Sequence, residues 1–269
     1  MRSVFDKSPY SIVKAVLRRS GKPFASLARN YAGSVRCVQT SRAVAALTFD
    51  DGPHPEFTPA LLEILRRHGA KATFFMIGES AVKYPEVVRN VAEAGHTIGN
   101  HSWSHLSLPL LSAEERRRQI RACEAVLRPY GQMLFRPPYG HQTWQCRWDT
   151  IRMGYEVVAF NVHAEDWLNR DATWMADRLV GKVGPGSIVI LHDNIYRNVL
   201  VNGHHDRRSM LEALRLMLER LENRFEFVTV PELLRQGRPM RDNWYGQGPP
   251  ELQAALEHHL SEARRHRSI

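Results

Sequence analysis

From residue 43 onward, short apolar runs alternate with longer segments of helical period, and this alternation constrains the fold more than any other feature. The runs are "AVAALTF" (43–49), "ATFFMIG" (72–78), "HTIGN" (96–100), "MLFRP" (133–137), "YEVVAFNV" (155–162), "SIVILH" (187–192) and "FEFVTV" (225–230). Between them lie "TPALLEILRRHG", "YPEVVRNVAEAG", "SAEERRRQIRACEAVLRPYG", "WDTIRMG", "TWMADRLVGKVG" and "RSMLEALRLMLERLENR". β-Branched and aromatic runs of this length read as strands, and apolar residues three and four apart read as helices. Several helical segments stop at glycine, a common helix terminator. Ser112 followed by Glu115 has the spacing of a capping box. Alternating strands and helices imply a parallel sheet covered on both faces. An open doubly wound sheet and a closed barrel both satisfy the pattern. In either, functional side chains gather beyond the C-terminal ends of the strands. Asp50, Asp51, His101, Arg136, Asp166 and His192 all fall at or shortly after such ends.

The chain has 269 residues, 43% hydrophobic and 24% charged, enough to bury a sizeable core. No apolar run approaches the roughly 20 residues that span a bilayer. The first residues are basic but lack an apolar segment followed by a small-residue cleavage site, so no secretory signal is expected. Cys37, Cys123 and Cys146 are odd in number and show no CxxC spacing, which fits a reducing, cytoplasmic setting without a disulfide framework or a cysteine zinc site. Of the net charge of +9, residues 1–42 carry +8 (nine Lys/Arg, one acid), residues 236–269 carry +1 (five against four), and 43–235 are neutral. A neutral body argues against a nucleic-acid substrate, while a basic arm suits peripheral contact with an anionic membrane. Within that arm Ile12, Val13, Val16 and Leu17 can form one face of an amphipathic helix, either docked on the body or lying at an interface. Leu252, Leu256 and Leu260 recur every four residues and predict a C-terminal packing or oligomer helix. The expected organisation is an N-terminal extension (1–42), a catalytic body (43–235) and a C-terminal extension (236–269).

The chemistry begins with "NHSWSH", where His101 and His105 are four apart and can aim both imidazoles at one point. Catalytic zinc sites commonly add one carboxylate to two histidines and leave a position open for water. Asp50 or Asp51, adjacent in "LTFDDGPHP", can supply that carboxylate. A metal lowers the pKa of its bound water to about 7. The acid that is not a ligand is then free to take the proton of a water attacking a carbonyl. A proton donor for the leaving group is also needed, and His192 ends another strand.

In order and spacing, "TFDDGP" (48–53), "HSWSH" (101–105), "RPPYG" (136–140), "EDW" (165–167) and "ILH" (190–192) resemble the motifs of NodB-type polysaccharide deacetylases, carbohydrate esterase family 4. The resemblance covers about 43–235 and implies a distorted (β/α) barrel of about seven parallel strands that hydrolyses acetamido groups on sugars with a divalent metal, zinc first and cobalt or another ion as alternatives. It implies Asp50 as general base and Asp51, His101 and His105 as metal ligands. Arg136 resembles the residue that orients the base, Asp166 the acid that tethers this arginine, and His192 the general acid. The backbone N–H of Tyr139 would help stabilise the oxyanion. Tyr139 and Trp167 would contact substrate, Trp167 as a groove wall, and Trp103 is expected to offer a further apolar face to a sugar. Two positions depart from the family pattern: His163 replaces the usual Asp of "NVHAEDW", leaving it to contact substrate or to fill the missing acid's place, and Ile190 replaces a Leu. His204 and His205 read as loop residues, and Trp144 and Trp148 as helix-packing residues. The implied substrate is an N-acetylhexosamine-containing glycan, oligosaccharide or glycolipid. An O-acetyl esterase, a lipid-linked sugar deformylase and a non-catalytic carbohydrate-binding barrel are the alternatives.

Overall fold

The structure, a computed structural model, describes residues 32–168, 170–196, 206–242 and 250–265. The segment holding Ile12, Val13, Val16 and Leu17, and the histidines His204 and His205, lie outside the described residues. In chain order the elements begin β1 (Ser34–Gln39), β2 (Val44–Asp50), α1 (Phe57–Arg67), β3 (Ala72–Met76), α2 (Gly78–Lys83), α3 (Pro85–Glu93), β4 (Thr97–Asn100), α4 (Ala113–Leu127) and β5 (Gly131–Phe135). They continue with α5 (Trp144–Arg152), β6 (Glu156–Val157), β7 (Val162–His163), α6 (Ala172–Lys182), β8 (Ile188–His192), α7 (Arg208–Leu221), β9 (Glu226–Val228), α8 (Val230–Leu234), β10 (Arg238–Asp242) and α9 (Pro250–Arg265).

Every residue of β2 is buried, as expected for a strand covered on both faces. Its period of two sends Ala45, Leu47 and Phe49 into the layer beneath the helices, and Val44 and Ala46 into the barrel interior with Phe75, Leu134 and Ile188. The same inward series continues with Thr48 and Asp50, so the interior changes from apolar to polar toward the C-terminal end of the strand. Arg136 reaches across that end to both Thr48 and Asp50.

The parallel strands run in the order β6-β5-β4-β3-β2-β8-β7, with β9 pairing along Val44–Ala46 of β2. The run expected as one strand at 155–162 divides into β6, which pairs with β5, and β7, which pairs with β8. The chain switches partners there, and that switch is why the ladder breaks. It also brings the two ends of the sheet together in one stretch of chain, closing a distorted barrel.

The limits drawn at residues 42 and 236 require correction. β1 and β10 form an antiparallel ribbon, and Val35 and Val38 of β1 belong to the interior cluster. β1 crosses the N-terminal end of the barrel, where its Val35 carbonyl accepts from Ala159 N at 2.7 Å and its Val38 N donates to the Gly186 carbonyl at 2.9 Å. Buried Arg147 of α5 fastens this ribbon, donating to the Ala32 carbonyl and Ser34 Oγ at 2.8 Å each. The capping box at Ser112 and Glu115 is present, opening α4. The leucine stripe of α9 packs on its own body. Leu256 and Leu260 are buried, and Leu260 joins Leu106, Leu108, Leu111, Phe135 and Tyr155. Burial of a leucine side chain contributes about 1.5–3 kcal/mol, enough to hold the helix in place. No helix of the described residues is long and apolar enough to cross a membrane.

Candidate active site

Asp50 and Asp51 are separated by the end of β2. Asp50 is the last inward-facing strand residue, and its Oδ1 accepts from Arg136 Nη1 at 2.7 Å. Asp51 turns out of the strand with φ 73°, and the cis Gly52–Pro53 bond follows. Gly52 is required at this turn, because a Cβ there would lie 2.4 Å from the carboxylate of Asp193. The turn carries the Asp51 carboxylate toward the loop after β4, where its Oδ1 lies 3.3 Å from His101 Nε2 and 3.2 Å from His105 Nε2. The other oxygen, Oδ2, accepts from the backbone N–H of Tyr196 at 2.9 Å.

These three groups fit a divalent cation. One oxygen or nitrogen from each of Asp51, His101 and His105 lies within 4.8 Å of the others, and all three residues are buried. His101 Nδ1 donates to the Arg136 carbonyl at 2.7 Å, which leaves an Nε2 lone pair facing Asp51 in the neutral ring. Asp51 Oδ1, buried, receives no hydrogen bond. A lone pair facing a carboxylate oxygen at this distance is repulsive without a cation between them. The charge of Asp51 is favoured despite burial, since nearby His105, His101 and His192 hold its carboxyl well below the usual range.

Arg136 is buried, and each of its three nitrogens is hydrogen-bonded. Besides Asp50 it donates to Thr48 Oγ1 at 2.7 Å and to the Val158 and Ala159 carbonyls at 3.2 and 3.0 Å, and its guanidinium lies 4.2 Å from the centre of the Phe75 ring. It has no contact with Asp166 among the described bonds, which corrects the expected tether. Asp166 instead accepts from His192 N at 2.8 Å, lies 3.1 Å from His192 Nδ1, and pairs with Arg207 Nη2 at 2.5 Å. Arg207 also donates to the Asp166 and His192 carbonyls. The acid therefore holds the histidine.

A cavity of about 360 Å3 is lined by Asp50, Asp51, His101, His105, Arg136 and His192, with Tyr139 and Trp167 in its walls. Tyr139 has φ 58°, and its ring centre lies 4.4 Å from that of His105. Two expected substrate contacts lie elsewhere. Trp103 is not a lining residue; its ring covers Gly78, where a Cβ would meet it at 2.5 Å. His163 is likewise outside the lining and backs Trp167, stacked at 5.6 Å and 28°. It thus fills space behind a wall. Trp144 and Trp148 stack on each other along α5, away from this lining.

A family model described as polysaccharide deacetylase matches residues 38–158. A peptidoglycan-N-acetylglucosamine deacetylase from Bacillus cereus is 35% identical over 203 residues, covering 74% of this chain and 70% of the relative. The chain belongs to the polysaccharide deacetylase family. A chitooligosaccharide deacetylase from Azorhizobium caulinodans is 34% identical to this deacetylase over 198 residues, 71% of this chain and 94% of the relative. The crystal structure of a peptidoglycan N-acetylglucosamine deacetylase bound to 4-naphthalen-1-yl-N-oxidanyl-benzamide superposes on this deacetylase with a TM-score of 0.70 and 31% identity, covering 81% of this chain and 99% of that one.

In this deacetylase the electrostatics differ between the His192 and Asp51 sides of the cavity. Burial opposes the charge of His192, but Asp166, its hydrogen bond, and Asp51 and Asp50 outweigh burial and lift the imidazole to about 9. Burial likewise opposes the charge of Asp166, whose carboxyl is nevertheless held below its ordinary value by His192 and Arg207. Three contributors escaped the sequence. Arg207, Tyr196 and Asn194, which donates to the Asp51 carbonyl at 3.3 Å, act on backbone atoms or partners remote in sequence. No spacing rule singles them out. Asp193, adjacent to His192, is fully buried and accepts from Thr58 Oγ1, which in turn accepts from His54 N at 2.8 Å.

Proposed function

We propose that this polysaccharide deacetylase removes N-acetyl groups from an N-acetylhexosamine-containing glycan or oligosaccharide by metal-assisted hydrolysis. The observation that carries this reading is the separation of the adjacent acids: Asp50 is bound to Arg136, and Asp51 faces two imidazoles. A divalent cation held by Asp51, His101 and His105, zinc in this proposal, would supply Lewis-acid activation of water and of the amide carbonyl. Arg136 holds one oxygen of Asp50 in place, so that the other oxygen takes the proton of the attacking water. The backbone N–H of Tyr139 donates to the oxygen that gains charge as the carbonyl carbon becomes tetrahedral. His192, bonded to Asp166 through Nδ1, presents Nε2–H to the leaving nitrogen. Its raised pKa keeps that proton available at neutral pH. Breaking the C–N bond then yields acetate and a free amine, the amine having received the His192 proton.

The test is release of acetate and free amine from N-acetylated oligosaccharides by zinc-loaded protein, with formate monitored in parallel. Acetate with stoichiometric amine is the expected result. Acetate without amine, released only from an O-acetylated sugar run in parallel, would indicate an O-acetyl esterase, and formate released only from an N-formylated sugar a deformylase. In the same preparation, His101→Ala/His105→Ala loses bound metal by elemental analysis; full metal occupancy would contradict the ligand set.

A further inference from the structure

The catalytic cavity includes one residue that lies beyond the expected catalytic body. Leu252, near the start of α9, lines the same space as Asp50, His192 and Trp167. The helix that presents it is anchored, because Leu256 is 3% exposed and Leu260 8%. Leu260 packs with Leu106, Leu108 and Leu111, in the segment that follows His105. Moving α9 away would therefore uncover the apolar cluster beside the loop that carries His101 and His105. The wall is fixed to the metal-binding side of the site.

Trp167 forms a second fixed wall. It is backed by the stacked His163 ring and meets His192 edge-on at 5.6 Å and 80°. The cavity that both residues line measures about 360 Å3, near the lower end of the roughly 300–1,000 Å3 typical of ligand pockets. An internal residue of a long polymer needs a path for the chain on both sides of the reacting sugar, and an anchored side chain in that path excludes it by direct clash. We infer that α9 is a specificity element whose Leu252 ends the glycan path at one side of the catalytic cavity, making short N-acetylated oligosaccharides the preferred substrates over internal residues of a long polymer. This rests on the deacetylase reading above.

The test compares the zinc-loaded full chain with Leu252→Ala and Leu252→Trp on chitobiose through chitohexaose. Two quantities are measured: kcat/KM for acetate release, and the dissociation constant by calorimetry. Differences of a methylene or more in an apolar pocket change discrimination by about ten-fold or more. The hexaose-to-biose ratio of kcat/KM should thus rise about ten-fold in Leu252→Ala and fall in Leu252→Trp. A merely structural role for Leu252 would lower kcat equally at every length, and equal ratios in all three proteins would overturn the inference. If the wild-type chain releases no acetate but Leu252→Ala shifts the hexaose-to-biose ratio of dissociation constants, the wall stands and the deacetylase reading falls. Absence of both turnover and binding across the series would overturn both.

Discussion

The two ends of the barrel handle left-handed backbone in opposite ways. Before β3, β4, β6 and β8 the turns use Gly69, Gly95, Gly154 and Gly186, with φ of 60°, 78°, 86° and 75°. At the catalytic end, residues with side chains adopt this conformation: Asp51, Ser102, His105, Tyr139 and Glu165, with φ between 54° and 73°. Among the described residues, these are all the non-glycine residues with positive φ, and Gly140 is the glycine that accompanies them. Each such residue costs on the order of 1–3 kcal/mol. Glycine would remove that cost, but it could supply neither the carboxylate and imidazole with which Asp51 and His105 face each other nor the ring with which Tyr139 walls the cavity. One end of the molecule is built for stability, and the other sacrifices stability to aim side chains.

Asp50→Asn tests the catalytic end most severely. The amide keeps an oxygen for Arg136 but cannot take a proton from water, so kcat should fall about 10²- to 10⁴-fold. Arg136 retains its bonds to Thr48 and to the Val158 and Ala159 carbonyls, which preserve its position. Metal content, measured by elemental analysis, should stay at the wild-type level because Asp51, His101 and His105 are untouched. Normal turnover in this variant would remove Asp50 from the mechanism. At the opposite end Gly186→Ala should give the converse phenotype. Its Cβ would lie 1.7 Å from the Val38 carbonyl oxygen at a left-handed residue, forcing β1 away. A loss of about 3 kcal/mol corresponds to roughly 6–12 °C in Tm. Acetate release per folded molecule should change less than about two-fold, since Gly186 touches no reacting group. A large fall in kcat with an unchanged Tm would break the contrast between the two ends.

What the sequence disclosed, and what it hid, follows the same division. Strand ends gave the address of Asp50, Asp51, His101, Arg136, Asp166 and His192, because near-continuous apolar runs mark where a parallel strand stops. Pairings among those residues were less accessible. Asp166 was assigned to Arg136 by family resemblance, yet a second arginine lies nearer, and adjacent Arg207 and Arg208 look alike in sequence. One has a side chain 4% exposed and bound to Asp166; the other is 80% exposed and bound to Asp206. Trp167 is expected as a groove wall from the family resemblance and Trp103 as a further sugar face from its type alone, and the loop conformation that lays Trp103 on Gly78 separates them. The β1–β10 ribbon was missed because its two strands lie more than 190 residues apart in the sequence, with only Val35 and Val38 of β1 turned into the barrel interior.

The smallest effect concerns Asp193, which belongs to the catalytic end without touching the reacting groups. Burial, together with Asp51 and Asp50, raises its pKa from 3.8 to about 7 against the opposing Thr58 hydrogen bond, while its Oδ1 receives no hydrogen bond. A carboxyl whose folded pKa exceeds its unfolded value holds its proton more tightly when folded. Its contribution to stability is therefore complete below about pH 4 and is lost as pH rises through about 7. Asp193→Asn keeps an acceptor for Thr58 and abolishes the titration. In metal-free protein, melting curves should show the variant gaining several degrees over wild type at pH 8 and little or nothing at pH 4. Removing the metal matters, because a cation at Asp51 would favour the Asp193 anion and shrink the difference. An equal shift at both pH values would mean that the effect is packing rather than charge. A loss at pH 8 would mean that the anion stabilises the Asp51–Gly52 turn, reversing the sign assigned to this end of the barrel.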